Sequence, residues 1–295
     1  MDLTPNDDQI AFQTATADWC RDNMPLEQSR ARPTGLWAEV EAMGWTAMTG
    51  AELGLDHATE ALVFAELGRV LAPVALLSTA VAGRWTGVAG KVALALEAGS
   101  GVRLLDSEGA THALGLIDGA IGWFAIDDAV EAVDSLDLSS SIARIDRPAG
   151  VERIEDPRAA FHLQLLAAAF AVGCADAARD MAADYARVRE QFQRPIGWFQ
   201  AIKHMCADMA VRSAVARSQL YFAACALDEG DVELPFHVAA AKRLAEQSAL
   251  ENGGDNIQVH GGIGMTDEAY PHLCLKRAHL LKFVAPVEDA VLLAN

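Results

Sequence analysis

Apolar residues recur every three or four positions along the first quarter of the chain, a pattern typical of amphipathic helices. The segment TPNDDQIAFQTATADWC opens with Thr4 and Pro5, a pair suited to the cap and first turn of a helix. Phe12, Ala15 and Trp19 follow at a spacing that places them on one helical face. The pattern predicts a helix that begins near Pro5 and buries this face.

The pattern changes in the middle of the chain, where short apolar runs are broken by Gly, Asp and Ser. Runs of this length with turn residues between them are typical of strands. Asp118 and Gly119 separate the apolar runs ALGLI and AIGWFAI, and an Asp-Gly pair in this position is a strong signal of a β-hairpin. We therefore predict a small antiparallel β domain in this part of the chain.

Helical periodicity returns in the second half of the chain and is interrupted by short polar or Gly/Pro-containing segments. The predicted helices span Phe161–Arg189, Trp198–Asp228, Leu234–His260 and Leu273–Val284. Four helices joined by short connections favour an antiparallel bundle, since short loops place consecutive helices side by side.

These segments together predict a mainly α fold with a small β domain. The predicted domains are an N-terminal helical domain (residues 1–82), a central antiparallel β domain (residues 83–152) and a C-terminal four-helix bundle (residues 153–295). A chain of 295 residues is long enough to form such modules around a sizeable core.

Charge restricts the partners that the chain is expected to bind. The formal net charge is −18, whereas nucleic acids and anionic membranes are bound through basic surfaces. We therefore expect neither nucleic acid nor a membrane as a partner. An anionic small ligand remains compatible with this charge, because it needs only a few local cations.

The cysteines and the N-terminal segment favour a cytoplasmic location. The five cysteines include no Cys-x-x-Cys pair, so buried reduced thiols are expected rather than disulfides or a zinc site. No basic stretch followed by an apolar one opens the sequence, as a secretory signal would require. The most apolar run, Leu165–Ala175, is too short to span a bilayer.

A group of polar and aromatic residues follows the first helix of the predicted bundle. Arg189 lies near the end of that helix, and Gln191 and Phe192 come directly after it. An arginine here is able to bind a diphosphate through paired, charge-assisted hydrogen bonds, with Gln191 and Phe192 as further contacts. The spacing alone favours a simpler interpretation, in which Arg189 complements the helix dipole and Phe192 is a core aromatic.

A second group stands at the end of the third helix of the bundle, where Gln258 precedes the run GGIG. Gly261 and Gly262 would allow a ligand to approach the backbone closely, and a helix C-cap explains an isolated glycine pair equally well. His260 and His272 lie nearby without an accompanying carboxylate cluster, so no metal site is expected.

The two groups occur in longer segments that resemble the acyl-CoA dehydrogenase family. The segments are VREQFQRPIGWFQAIKHMCADMAV and IQVHGGIGMTDEAYPHLCLKRA, and LWAEVEAMGW and VFAELGRVLAP resemble the N-terminal helical domain of that family. The resemblance implies a FAD that lies across a subunit interface, with its flavin ring in the neighbouring subunit. It assigns the adenine-diphosphate end of this FAD to six residues: Arg189, Gln191, Phe192, Gln258, Gly261 and Gly262.

The sequence departs from the family at the catalytic base. Family members remove the α-proton of an acyl-CoA with a Glu, whose place is restricted because it must reach the α-carbon. The two places that the family uses correspond to Leu163 and to Ala285 in the run Val284-Ala285-Pro286. Neither is a carboxylate, although Glu288 lies three residues beyond Ala285. We therefore expect no catalytic residue in this chain.

The predicted β domain also departs from the family, because it lacks the Thr-Glu-Pro…Gly-Ser-Asp run and the Trp-x-Thr/Ser strand that hold the flavin ring. The chain thus resembles the accessory subunit of heteromeric, steroid-degrading acyl-CoA dehydrogenases of actinobacteria. The resemblance implies a heterotetramer with a full-length acyl-CoA dehydrogenase subunit, a steroid-derived CoA ester as one possible substrate, and an electron-transfer flavoprotein as electron acceptor.

Two alternatives remain open from the sequence. One is a self-sufficient homomeric acyl-CoA dehydrogenase with a displaced carboxylate base such as Glu288. The other is a non-enzymatic helical scaffold that has lost flavin.

Overall fold

The computed structural model describes residues 3–33, 35–126 and 130–293. The N-terminal part of the chain is helical, as predicted. Its α-helices are α1 (Asp7–Asn23), α2 (Leu36–Ala42), α3 (His57–Arg69) and α4 (Ala75–Trp85).

The N-cap of helix α1 lies two residues later than the predicted one. Asn6 is the N-cap: its side chain accepts a hydrogen bond from the Gln9 N–H, and the Gln9 side chain accepts one from the Asn6 N–H. This reciprocal arrangement satisfies two backbone donors that a helix start otherwise leaves free. The prediction that Thr4 and Pro5 cap the helix is therefore wrong.

The buried face of α1 also differs from the predicted one. Gln9, Thr16 and Cys20 are buried, whereas Phe12 is 43% exposed. Polar contacts select this face, because the Gln9 amide donates to Asp56 at 3.3 Å and its oxygen accepts from the Tyr221 hydroxyl at 2.9 Å. Both partners are distant in the chain, so apolar periodicity could not reveal them.

The central part of the chain forms a seven-stranded sheet among the described residues, in the order β5-β6-β2-β1-β3-β4-β7. The strands are β1 (Val92–Ala98), β2 (Gly101–Leu105), β3 (His112–Ile117), β4 (Ala120–Ala125), β5 (Glu131–Val133), β6 (Ile142–Asp146) and β7 (Glu152–Arg153).

One strand pair departs from the predicted antiparallel arrangement, because β1 and β3 run parallel. The β1–β2 hairpin brings Leu105 opposite Leu94, close to the start of β1. The chain then crosses to the other side of β1, and β3 starts with His112 beside Val92. The two strands consequently run in the same direction, and the sheet is mixed.

The predicted hairpin is confirmed between β3 and β4. Ile117 pairs with Ala120, which leaves Asp118 and Gly119 as the two turn residues. Their φ angles are +50° and +78°, as a type I′ turn requires.

The C-terminal part contains the predicted four-helix bundle. The long helices are α5 (Arg158–Val188), α6 (Gln200–Glu229), α7 (Leu234–His260) and α8 (Pro271–Leu281), followed by the short α9 (Asp289–Leu293). A two-stranded ribbon, β8 (Glu190–Gln191) and β9 (Arg194–Pro195), joins α5 to α6. The bounds of α7 agree with the prediction, and the other three bundle helices begin or end one to three residues away from it.

Helix α5 packs against α3 with almost no space between the two backbones. A Cβ on Gly68 would lie 2.4 Å from the Phe170 carbonyl oxygen, and one on Gly173 would lie 2.1 Å from the Ala65 oxygen. Glycine is required at both positions, because real Cβ atoms do not approach other atoms this closely.

The apolar character of α5 matches its position in the core. The helix is long and apolar enough to cross a membrane by length and composition, but 83% of its most apolar stretch is buried within the protein. All five cysteines are free thiols, and four of them are buried, in agreement with the prediction.

A buried arginine joins the helical bundle, the sheet and the N-terminal helices. Arg277 on α8 is fully buried and donates to Asp137 at 2.5 Å, to the Ala72 carbonyl at 2.7 Å and to the Ser139 hydroxyl at 2.9 Å. Burial alone would raise the pKa of the Asp137 carboxyl, but attraction by Arg277 and hydrogen bonds outweigh it and lower that pKa. Asp137 is therefore held ionised.

Replacement of Arg277 by Met should lower the free energy of unfolding by about 3–5 kcal/mol, because Asp137 is left as an unpaired buried charge. Urea denaturation at neutral pH measures this change. Arg144 on β6 is exposed, and the matched change Arg144→Met should stay within about 0.5 kcal/mol of the wild type. Equal effects of the two changes would contradict the role of Arg277.

The same ion pair predicts acid sensitivity. The pKa of Asp137 is lower in the folded state, so its contribution to stability is complete above the ordinary carboxyl pKa of about 3.9. That contribution is lost as the pH falls through the folded pKa. The stability difference between the wild type and Asp137→Asn should therefore shrink below about pH 4 in urea denaturation.

Candidate functional site

Arg189 lies where α5 ends and the chain reverses. Its N–H donates to the Tyr185 carbonyl at 2.8 Å, and its carbonyl accepts from the Ile196 N–H at 2.8 Å. Phe192 and Gln193 form the turn of the ribbon, with φ angles of +54° and +64°. These contacts fix the Arg189 backbone, while its side chain is exposed and has no ion-pair partner within residues 3–33, 35–126 and 130–293.

The glycine run follows α7 and forms a single 3-10 turn, Gly261–Met265. Gly261 has a φ of +65° and a ψ of −147°, a conformation that residues with a Cβ rarely adopt. A Cβ on Gly261 or Gly262 would meet no atom within 4 Å, so both glycines border open space. Gly264 is different: it is buried, and a Cβ there would lie 2.9 Å from the Ile257 carbonyl oxygen.

The end of α5 and the end of α7 come together around one pocket of about 360 Å³. Four of the six predicted FAD-binding residues line it: Arg189, Gln191, Gly261 and Gly262. The remaining lining residues are Tyr185, Ile196, Val259, His260 and Ile263. We call this site the Arg189 pocket.

Two predicted residues do not line the Arg189 pocket. Phe192 is 83% exposed at the tip of the ribbon, where its ring makes an edge-to-face contact with Phe199. Gln258 is exposed on the last turn of α7. To take part in binding, either side chain would have to contact a part of the ligand, or of a partner subunit, that lies outside the pocket.

The structure adds a pair of aromatic rings that sequence reasoning did not assign to the site. The rings of Tyr185 and His260 stack with centroids 4.0 Å apart and planes 20° apart. Tyr185 is on the last turn of α5, four residues before the C-cap Arg189, so helical spacing places both on one face. This four-residue spacing could have identified Tyr185 from the sequence. His260 could not be found in this way, because it lies on a different helix.

The groups around the Arg189 pocket fit an anionic ligand. Arg189 is a donor-only cation that binds phosphate oxygens well, and the adjacent glycines leave the backbone accessible. The lining residues include no Asp or Glu, which would repel a diphosphate. The residues present therefore fit the adenine-diphosphate end of FAD.

A second pocket of about 390 Å³ lies between the sheet and α8. Its walls are mostly apolar and include Leu96, Leu105, Leu136, Ile142, Leu280 and Phe283. Two carboxylates reach its lining. Asp137 accepts a hydrogen bond from Arg277, and Glu97 lies 3.8 Å from Arg147.

The aligned positions of the family's base offer no proton acceptor. Leu163 is fully buried on α5, and Ala285 is 2% exposed with a φ of +43°. Glu288 is exposed near the start of α9, and it lines neither the Arg189 pocket nor the second pocket.

His57, Glu60 and His162 form a buried group whose side-chain nitrogen and oxygen atoms lie within 4.8 Å of one another, as in a metal site. Trp85 Nε1–H donates to His162 Nδ1 at 3.1 Å, so the proton of a neutral His162 must be on Nε2. That Nε2–H donates to Glu60 at 2.7 Å, while His57 Nδ1 bonds Asp228 at 2.7 Å. The His162 lone pair is thus occupied, and the group is a hydrogen-bond network.

Comparison with known proteins bears on this architecture. A family model described as acyl-CoA dehydrogenase, C-terminal domain, matches residues 160–285. The chain is 32% identical over 245 residues to the acyl-CoA dehydrogenase IpdE2 of Mycobacterium tuberculosis, covering 77% of this chain and 73% of IpdE2. It is 39% identical over 166 residues to FadE34 of the same organism, covering 53% of this chain and 23% of FadE34. The chain thus spans most of one relative and about a quarter of the other.

Solved structures share the fold. Butyryl-CoA dehydrogenase from Megasphaera elsdenii superposes with a TM-score of 0.80 at 20% identity, covering 99% of this chain and 98% of that one. A chain of the ChsE4–ChsE5 complex from Mycobacterium tuberculosis gives 0.74 at 21% identity, with 96% and 94% coverage. The order of helices, sheet and four-helix bundle is thus that of the acyl-CoA dehydrogenase fold, which confirms the predicted fold class.

The IpdE2 match, at this identity and coverage, decides the family. The chain belongs to the acyl-CoA dehydrogenase family, and the resemblance read from the two motifs is confirmed. The family implies an oxidoreductase that uses FAD.

The two pocket glycines should respond differently to the same change. Gly261→Ala should lower the free energy of unfolding by about 1–3 kcal/mol, because alanine is strained at this φ and ψ. Gly262→Ala should change it by less than about 0.5 kcal/mol, since the added methyl meets open space. Chemical denaturation of both variants measures the difference, and an equal loss in both would show that backbone strain is not the cause.

Proposed function

We propose that this chain is a subunit of a heteromeric FAD-dependent acyl-CoA dehydrogenase, completing the adenine-diphosphate side of a FAD shared with a partner and supplying no catalytic base. The observation that carries the proposal is the Arg189 pocket. It brings Arg189 and Gln191 from one end of α5 against Gly261 and Gly262 at the end of α7.

The absence of a carboxylate at Leu163 and Ala285 supports the second half of the proposal. Both positions are buried and apolar, so neither can take the α-proton of an acyl-CoA. Bound FAD would supply the acceptor for the hydride of the β-carbon. The partner subunit would then supply the base, and this chain would bind and orient the cofactor.

Exposed apolar side chains support a subunit interface beside the pocket. They lie within two residues of pocket-lining residues in the chain and comprise Val188, Phe192, Trp198 and Met265. Large apolar groups that cluster at one surface are typical of protein–protein contacts. We infer that the partner, a full-length acyl-CoA dehydrogenase subunit, covers this surface in a heterotetramer.

The relatives support a substrate class. IpdE2 and FadE34 are named acyl-CoA dehydrogenases, and one structural neighbour is described as a steroid acyl-CoA dehydrogenase. The ChsE4–ChsE5 neighbour is a complex of two different proteins. We propose an acyl-CoA thioester, with a steroid-derived CoA ester as one candidate, and an electron-transfer flavoprotein as electron acceptor.

Purification of the chain alone and after co-expression with candidate partner subunits tests the proposal. The chain alone should be colourless and inactive, and the flavin absorbance and acyl-CoA dehydrogenase activity should appear with the right partner. A yellow, active homomer would contradict the accessory role. A chain that never takes up flavin with any partner would support a non-enzymatic scaffold instead.

Arg189→Ala should weaken FAD binding in the complex by about one to two orders of magnitude. The physical reason is the loss of a charge-assisted contact to the diphosphate, which contributes about 1.5–3 kcal/mol. Titration of the apo complex with FAD, followed by flavin fluorescence, measures the change.

Arg187→Ala is the matched control for Arg189→Ala. Arg187 is on the same helix, is paired with Asp184 at 2.7 Å and does not line the pocket. Its replacement should leave FAD affinity within about twofold, because its exposed ion pair contributes little. The same loss in both variants would show that Arg189 acts only through helix-end charge.

Glu288→Gln should leave turnover within about threefold, because no proton transfer passes through this residue in the proposed complex. A positioned general base is worth about 10²–10⁴-fold, so the alternative outcome is easily distinguished. Steady-state kinetics with equal FAD content measures it. A loss of two orders of magnitude would make Glu288 a displaced base and this chain an enzyme in its own right.

A further inference from the structure

His260 is held in one orientation at the Arg189 pocket. Its ring stacks on Tyr185, and its Nδ1 lies 2.9 Å from the Asn256 carbonyl oxygen. The ring is half-buried and lines the pocket together with Arg189. Two independent contacts thus fix both the plane of the ring and its rotation in that plane.

The contact with Asn256 determines which ring nitrogen carries the proton. A carbonyl oxygen only accepts hydrogen bonds, so Nδ1 must be the N–H donor. In the neutral ring, Nε2 is then an acceptor with a free lone pair. Within the part of the chain that the structure describes, no group hydrogen-bonds to this nitrogen.

The protonation state at neutral pH agrees with this geometry. Burial lowers the pKa of His260, and the Asn256 carbonyl opposes that effect only in part. The other ionisable groups that line the pocket are Arg189 and Tyr185, whose ring on α5 stacks on His260. The lining contains no carboxylate that would stabilise a protonated His260.

The pocket therefore combines a cation with a fixed neutral acceptor. Arg189 donates to anionic oxygens, whereas His260 Nε2 requires a ligand that donates. Gln191 is a second polar side chain, but it is exposed and its amide nitrogen already donates to the Glu190 carbonyl at 2.7 Å. A nucleoside diphosphate carries both complementary groups: the diphosphate oxygens and the ribose hydroxyls.

We propose that His260 recognises ribose: its Nε2 accepts a hydrogen bond from a ribose hydroxyl of the nucleotide whose diphosphate Arg189 binds. This inference rests on the proposed function and assigns a separate role within the same pocket. His260 thereby distinguishes a nucleotide from pyrophosphate or another bare anion. Tyr185 acts as a positioning residue, because it holds the His260 ring without contacting the hydroxyl.

Isothermal titration of this chain, alone and in complex with its partner, with ADP and with 2′,3′-dideoxy-ADP tests the inference. The wild type should bind ADP about three- to tenfold more tightly than the dideoxy analogue, the range that one neutral hydrogen bond allows. His260→Phe keeps an aromatic ring to stack on Tyr185 but has no acceptor. It should bind both nucleotides equally, at the wild-type affinity for the dideoxy analogue.

Two further variants separate His260 from its neighbours. Gln191→Leu should keep the preference for ADP, and Arg189→Ala should weaken both nucleotides while keeping their ratio. The preference should also weaken as the pH falls below the ordinary histidine pKa of about 6.5, because a protonated Nε2 no longer accepts a hydrogen bond. A purely structural role for His260 would leave the ratio independent of pH.

The failures of the two ideas are distinguishable. If ADP and the dideoxy analogue bind the wild type equally, or if the preference survives in His260→Phe, the role of His260 is wrong and the proposed function stands. If neither nucleotide binds even in the complex at millimolar concentration, both the proposed function and the role of His260 are overturned. Melting temperatures of all variants show whether any loss of binding comes from unfolding.

Discussion

The buried guanidinium of Arg277 is the interaction on which the arrangement of this chain depends most. Its partners come from two regions that are far from α8 in sequence: the loop after α3 and the segment before β6. A buried charge without partners costs several kcal/mol, so these regions are stable only when assembled together. Because α8 follows the glycine turn, fixing Arg277 also restricts where that turn and the end of α7 lie.

The other constraint that positions the site is the contact between α3 and α5 at Gly68 and Gly173. It holds the middle of a helix of 31 residues, which is ~46 Å long. The C-terminal end of this helix carries Tyr185 and leads directly to Arg189. The location of the pocket is thus a consequence of packing in the core, where the helix is almost completely buried.

Local signals in the sequence predicted the parts of the fold that local interactions determine. Asp118 and Gly119 specify a type I′ turn by their own backbone preferences, and the turn is present. The bounds of α7 follow from helical periodicity and the glycine run that ends it. The parallel pairing of β1 with β3 and the polar face of α1 were not predictable in this way. The first depends on how the chain crosses from β2 to the far side of β1. The second depends on partners such as Tyr221, which lies 212 residues from Gln9.

The candidate site shows the same division. Arg189, Gln191, Gly261 and Gly262 were identified through motifs, and they meet in one pocket. The stacking of His260 on Tyr185 joins two helices and has no counterpart in either motif alone. Phe192 and Gln258 lie outside the pocket, and their predicted role requires groups that this chain does not supply.

The backbone at Ala285 has a consequence for how this lineage can change. Its φ of +43° lies in the left-handed region, which costs any residue with a Cβ about 1–2 kcal/mol, and the position is almost completely buried. A glutamate introduced here by a single codon change would therefore enter a strained site as an unpaired buried charge. A chain that depends on a second subunit for its catalytic base would therefore not regain a base of its own through this one substitution. The surrounding helices would first have to change so that they accommodate a charged side chain.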